Sequence, residues 1–308
     1  MIIPQRAERM TMPAGSTPPR RERHPRDVLS KHRIRPRRAT GQRFLVSGKD
    51  LDRVVEAACI GPEEAVLEIG AGLGRLSARI AAGAGHLVTV EIDDRLHRIA
   101  AERLGDLPNV TLLRCDFLAS KHRINPAVAE AVGSVLGGLA HPLKVVSNLP
   151  YNISSPAVVA LLEWDIAVGE MFLMFQKEVA DRLAASPGVK EYGPLTVCVD
   201  YWATVERLFS LPRRAFWPVP EVSSVLVRIV KRAERRRTEQ YDAFSAVVRK
   251  LFAGRRKTLA RNLRAGWGHE KAAQVIERLG LDPRRRAETL STEDFEAIAA
   301  VTGPPPRG

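Results

Sequence analysis

Cysteine is scarce in this chain: Cys59, Cys115 and Cys198 are the only three in 308 residues, and they lie far apart. That spacing builds neither a disulfide framework nor a paired-thiolate metal site, so each is read as a small buried hydrophobe. Long apolar runs are missing too. None approaches the ~18 residues that cross a bilayer, and the opening stretch MIIPQRAERMTMPAG has no apolar core of signal-peptide length. Acids are in deficit, with 35 Asp and Glu against 48 Lys and Arg, a net charge of +13. An excess of this size attracts polyanions and says little about fold. A cytoplasmic protein with a polyanionic partner, no metal and no membrane anchor is the expectation.

Two common phosphate loops are also absent. The apolar run AVLEI (65–69) is followed by GAGLG (70–74) and the helical pattern RLSARIAAGA. A dinucleotide fingerprint needs glycine at 75, where the chain has Arg75, and no Gly-Lys-Ser/Thr follows to make a Walker loop. Strand, glycine turn and helix still open a doubly wound α/β domain, and Gly70, Gly72 and Gly74 let a ligand approach the backbone without a Cβ in the way. The next run, HLVTVEID (86–93), carries Glu91 at its tip, where a carboxylate accepts from both hydroxyls of a ribose. VTLLRCDFL (110–118) brings Asp116 to its end, able to accept from the amine of an adenine. Ligands of open α/β sheets bind along this carboxyl edge. A ribose and an adenine without a pyrophosphate describe S-adenosylmethionine. Here the chain resembles the class I S-adenosylmethionine-dependent methyltransferases, whose first motif E-x-G-x-G-x-G matches Glu68 to Gly74.

A fourth run, LKVVS (143–147), delivers NLPYNISSP (148–156) to the same edge. An amino group on a nucleobase is a poor nucleophile, because its lone pair is delocalised into the ring. The side-chain oxygen of Asn148 and a nearby main-chain carbonyl, held by Pro150, can accept its two N–H bonds and turn the lone pair outward. Tyr151 offers a face on which an extruded base stacks, worth about 1–3 kcal/mol. Methylation of a ring carbon would instead call for a cysteine nucleophile, and none lies near this loop. Ser154, Ser155 and Pro156 are read as the cap of a helix over 157–164.

NLPYNISSP, then MFLMFQKEVADRLAASPGVKEYGPLTV (171–197), AFWPVPEVSSVLVRIV (215–230) and GQRFL (41–45) resemble the ribosomal RNA adenine N6-dimethyltransferase family. LFAGRRKTLARNL (251–263) and LGLDPRRRAETLSTEDF (279–295) resemble its small-subunit branch. The likeness covers about residues 41–300. It implies a class I S-adenosylmethionine-dependent (Rossmann-like) α/β sheet with a small C-terminal α-helical domain, and N6,N6-dimethylation of two adjacent adenosines near the 3′ end of small-subunit rRNA. Gln42, Leu45, Gly70, Gly72, Glu91, Asp116 and Asn148 would surround the cofactor, and Asn148 and Tyr151 would face the adenine. Phe216 would be a second stacking surface, against the alternative of a core aromatic beside a rigid proline turn. Position 43 is arginine where the family usually has asparagine, which bears on a polar contact to the cofactor. The stretch between Asp116 and Asn148 is longer than usual, with an inserted helix and loop around 133–142. A large-subunit, antibiotic-resistance enzyme and a non-catalytic ribosome-assembly factor are the rival readings.

Three segments are expected. Residues 1–40 hold eleven Arg or Lys against Glu8, Glu22 and Asp27, with six prolines, and are read as a disordered basic arm. Residues 41–231 form the methyltransferase domain. Residues 232–308 form a small helical domain, in which Arg255, Arg256, Lys257, Arg261 and Arg264 recur along one helix and track an RNA backbone. The partner is small-subunit rRNA in an assembling subunit, and the protein a monomer.

Overall fold

The computed structural model describes residues 23–36, 41–120, 123–139, 141–235 and 238–305. In chain order it runs through α1 (Pro25–Lys31), β1 (Phe44–Leu45), α2 (Gly48–Ala58), β2 (Ala65–Ile69), α3 (Arg75–Gly83), β3 (His86–Val90), α4 (Asp94–Leu104) and β4 (Val110–Leu113). A small hairpin, β5 (Leu118–Ser120) and β6 (Arg123–Ile124), leads to α5 (Pro126–Leu136), β7 (Leu143–Ser147), α6 (Ser154–Leu162), β8 (Val168–Gln176), α7 (Lys177–Leu183) and α8 (Pro194–Trp202). Next come β9 (Ala203–Leu211), β10 (Phe216–Trp217) and β11 (Ser224–Lys231), and the last helices are α9 (Glu239–Ala253), α10 (Leu259–Trp267), α11 (His269–Leu279) and α12 (Thr292–Thr302).

Seven strands form the main sheet in the order β4-β3-β2-β7-β8-β11-β9. The first five are parallel, and β11 runs antiparallel to both β8 and β9. The central strands β2 and β7 are buried along their whole length, as continuous apolar runs must be when helices cover both faces. From β2 the chain winds outward through β3 to β4, then returns to place β7 on the other flank of β2. The crevice of a doubly wound sheet opens at such a reversal. Ser147 ties the two strand ends together there, its hydroxyl donating to Ile69 O at 2.6 Å. Between Asp116 and β7 the chain forms the hairpin and α5, which buries Val128 and Val132 in the main core.

Part of the expected basic arm is structured. Its residues 1–22 and 37–40 lie outside the described residues, but 25–31 form α1, started by Pro25 with the His24 ring accepting from Arg26 N. Leu29 (0% exposed) and Ile34 pack with Phe44, Leu73, Leu96 and Ile99, and Trp217 lies against them. Two large aliphatic side chains suffice to dock one short helix, whatever the charge around them.

The four last helices follow β11 as expected, yet they share one apolar cluster with the sheet. Tyr201 and Trp202 at the end of α8 meet Tyr241 and Phe244 of α9 at ring separations of 4.7–5.0 Å. Ser154 and Ser155 do not cap α6 from outside. They lie within it, and the Ser154 hydroxyl donates back to Tyr151 O at 3.1 Å.

Candidate active site

The loop after β2 turns on glycines with φ of +89° at Gly70 and +57° at Gly72, a conformation side chains resist. A Cβ on Gly72 would also lie 3.3 Å from the Phe44 ring. The amides of Gly70 and Ala71 both donate to Val90 O at 2.9 Å, which fastens the loop to β3. One residue beyond, Glu91 accepts from Gly72 N at 2.8 Å through Oε2 and from Asp93 N at 2.9 Å through Oε1. Burial pushes its carboxyl above the usual range, and the amide donors partly oppose that.

Under the loop lies Glu68, buried, with Ser77 Oγ and Thr89 Oγ1 donating to its Oε2 at 2.5 and 2.7 Å. Burial raises its pKa to about 8, against those two bonds and with the help of the Glu91 charge. It is therefore a protonated acid at neutral pH.

A cavity of ≈ 220 Å³ opens at this edge. Gln42, Leu45, Gly70, Gly72, Glu91, Asp116 and Asn148 all line it, so the structure gathers the whole expected cofactor set. Asp116 stands three residues past the end of β4, exposed, with Oδ1 accepting from Leu118 N at 3.0 Å. Ile92 also lines the cavity and is 62% exposed. The sequence reading missed it by running the strand on to Asp93. β3 stops at Val90, and an aliphatic side chain beyond that point, beside Glu91, is the signal that was there to find.

Asn148 follows β7, and its Nδ2 donates to Arg43 O at 2.8 Å. Leu149 and Pro150 continue the cavity wall. Tyr151 is half-buried behind them and outside the cavity lining, with its hydroxyl 3.1 Å from Ser224 Oγ. Burial raises the pKa of this phenol, opposed by the Ser224 bond and the Arg43 charge. Donors and acceptors of this kind fit S-adenosylmethionine: carboxylate oxygens for a ribose diol, an aliphatic face and a carboxylate for adenine, and glycine backbone where the chain must approach closely.

Phe216 is not a second stacking surface in this structure. It is 1% exposed, because β10 pairs antiparallel with β1 and sets Phe216 opposite Leu45, over the cluster of Leu51, Met174 and Leu226. The core reading of that aromatic holds. Nor do the expected RNA contacts share a helix. α9 ends at Ala253, Arg255, Arg256 and Lys257 occupy the turn, and Thr258 caps α10, which carries Arg261. Arg255 is committed to structure, its Nε donating to Glu288 at 2.7 Å and its NH2 to Lys190 O at 2.7 Å. Arg256, Lys257 and Arg261 are exposed. Among the described residues no group of three His, Cys, Asp or Glu side chains could hold a metal ion.

A family model described as ribosomal RNA adenine dimethylase matches residues 33–302. The ribosomal RNA small subunit methyltransferase A of Pelotomaculum thermopropionicum is 40% identical over 278 residues, covering 89% of this chain and 94% of the relative. The protein of the same name from Geobacillus kaustophilus is 36% identical, covering 91% and 95%. Among solved structures, a dimethyladenosine transferase from Plasmodium falciparum superposes with a TM-score of 0.67 at 24% identity, covering 83% of this chain and 95% of that one. The 23S rRNA methyltransferase ErmE superposes with a TM-score of 0.62 at 25% identity, covering 84% and 99%.

Proposed function

The chain belongs to the ribosomal RNA adenine dimethylase family, and on that premise we propose that it dimethylates N6 of two adjacent adenosines near the 3′ end of small-subunit rRNA as the subunit assembles. S-Adenosylmethionine supplies an electrophilic methyl group on its sulfonium. Glu91 is the acceptor for the ribose hydroxyls, Asp116 for the adenine amine, and Ile92 the face on which that adenine lies. Gln42 and Leu45 close the cavity from the β1 side.

Catalysis falls to Asn148. Its nitrogen is committed to Arg43 O, which leaves Oδ1 to accept one N–H of the target amine while the Leu149 carbonyl accepts the other. An amine held by two acceptors gives up conjugation with its ring and aims its lone pair at the methyl carbon. Alignment and fixed dipoles of this sort supply most of the rate in such transfers. Tyr151 is the stacking partner of the extruded base. That committed amide is the single observation on which the reading stands.

The small-subunit target is favoured over the large-subunit one by 40% identity to a small-subunit methyltransferase against 25% to the 23S enzyme. An active enzyme is favoured over a non-catalytic factor by the presence of Glu91, Asp116 and Asn148 on one cavity. Residues 41–231 carry the chemistry in this reading. Residues 232–308 add phosphate contacts through Arg256, Lys257 and Arg261, and the protein works in the cytoplasm as a monomer. No helix among the described residues is long and apolar enough to cross a membrane.

The test is incubation with labelled cofactor and, separately, partly assembled small subunits, large subunits and bare rRNA, with mapping of the product. Dimethyladenosine in small-subunit rRNA is expected. Label in large-subunit rRNA would move the protein to the other branch, and cofactor binding without transfer to any substrate would make it an assembly factor.

A further inference from the structure

Arg75 stands where a dinucleotide loop would have its last glycine, as the first residue of α3. Its side chain is not at the surface: the residue is 5% exposed and lines the cofactor cavity. A guanidinium stays out of water only when its donors meet acceptors. Here the two terminal nitrogens donate to successive main-chain carbonyls, NH1 to Leu45 O and NH2 to Val46 O at 3.1 Å. Those acceptors lie thirty and twenty-nine residues earlier in the chain.

Strand β1 is short, and its two side chains, Phe44 and Leu45, are buried in neighbouring apolar clusters. It is two residues long and pairs on one side with β10, and just past its end Val46 N donates to Ala215 O at 2.8 Å. Arg75 adds a polar attachment from the start of α3. Yet this short strand bears on both halves of the reaction site. Leu45 is cavity wall, and Arg43, immediately before β1, is the residue whose carbonyl holds the Asn148 amide.

We propose that Arg75 is a positioning residue for methyl transfer. Its forked guanidinium clamps β1 to the start of α3, so that the cofactor wall and the Asn148 amide are held by one device. A planar fork suits two adjacent carbonyls, and a lysine ammonium, a point charge on a flexible stem, does not reproduce it. The inference rests on the role given above to Asn148. Neither Arg75 nor Arg43 touches the target base in this account. Arg75 acts through β1, and β1 acts through a main-chain oxygen.

Full-length Arg75→Lys and Arg75→Ala test it by two readouts. The first is cofactor affinity by calorimetry without RNA, using S-adenosylmethionine and its decarboxylated analogue. The second is the single-turnover rate of methyl transfer to small-subunit particles at saturating cofactor. The alanine variant is expected to lose about tenfold in affinity and about tenfold or more in saturated rate, with lysine intermediate in both. The affinity loss should be the same for the decarboxylated analogue, because the clamp does not touch the cofactor's carboxylate. A lysine variant equal to wild type in both readouts overturns the proposal. So does a loss confined to the intact cofactor, which would make Arg75 a carboxylate ligand. If the alanine variant does not fold, lysine carries the test, with its melting temperature as control. A wild type that binds cofactor but methylates no rRNA would defeat the functional reading instead, and the calorimetric arm would still stand.

Discussion

The side-chain amide of Asn148 donates to the main-chain oxygen of Arg43 across 2.8 Å. The contact joins the loop after β7 to the segment before β1, and it decides which end of the amide meets the cavity. With the nitrogen committed, the oxygen is the end available to an incoming amine, and an amide oxygen can only accept. The bond uses the backbone of residue 43, so it does not depend on the arginine side chain there.

Arg43→Asn is therefore expected to leave kcat within about threefold of wild type, because no transition-state contact is removed. Steady-state kinetics on small-subunit particles decides the matter. A loss of kcat beyond about tenfold would assign the guanidinium a part in the reaction.

Glu68 makes stability depend on pH. Its pKa is raised from 4.5 to about 8, so the folded protein keeps a proton that the unfolded chain releases. Stability from this group is fully present below pH 4.5 and is lost as pH rises through about 8. Glu68→Gln, which retains an acceptor for Ser77 and Thr89, should flatten the fall in urea midpoint between those limits. Parallel curves for the two proteins would contradict the assignment.

Leu29→Ala should release α1. The side chain is fully buried against Leu73 and Leu96, and truncating such a leucine costs about 2–4 kcal/mol. Hydrogen exchange of α1 amides reads the loss directly. Equal protection in both proteins would show that Leu29 does not hold the helix in place.

In the turn between α9 and α10, neighbouring cations divide in role. Removing Arg256 or Lys257 should weaken RNA binding and lower the salt slope by about one each. Arg255→Ala breaks the half-exposed bond to Glu288, so it should cost under about 1 kcal/mol of stability and leave that slope nearly unchanged. Titrations at several salt concentrations separate the two outcomes, and a shared slope change would merge them.

The cofactor edge is legible in the sequence because its signals are local. A glycine turn directly after AVLEI, an acid at the tip of the next strand and Asn-Leu-Pro-Tyr after LKVVS each name their own position. What is not legible depends on partners far along the chain. The direction of Phe216 is set by pairing with Leu45, and nothing in FWPVP says which face β1 will cover. The burial of Leu29 needs Leu73 and Leu96 in place, and averaging charge over forty residues hides two aliphatics. Arg255 to Lys257 read as helix by charge spacing alone, whereas Gly254 and the Thr258 cap break the chain there into two helices. Arg75 looked like a missing glycine, and its reach back to Leu45 becomes visible only in the folded loop.

The most direct measurement is the single-turnover rate of Asn148→Ala on small-subunit particles, alongside its affinities for cofactor and RNA. Removing one preorganised polar group at a reacting centre costs about 10²–10³ in rate, and here the rate at saturating cofactor should fall at least that far while RNA affinity stays within about threefold. Turnover at the wild-type rate, or a fall explained by lost cofactor binding alone, would contradict the role given to this amide.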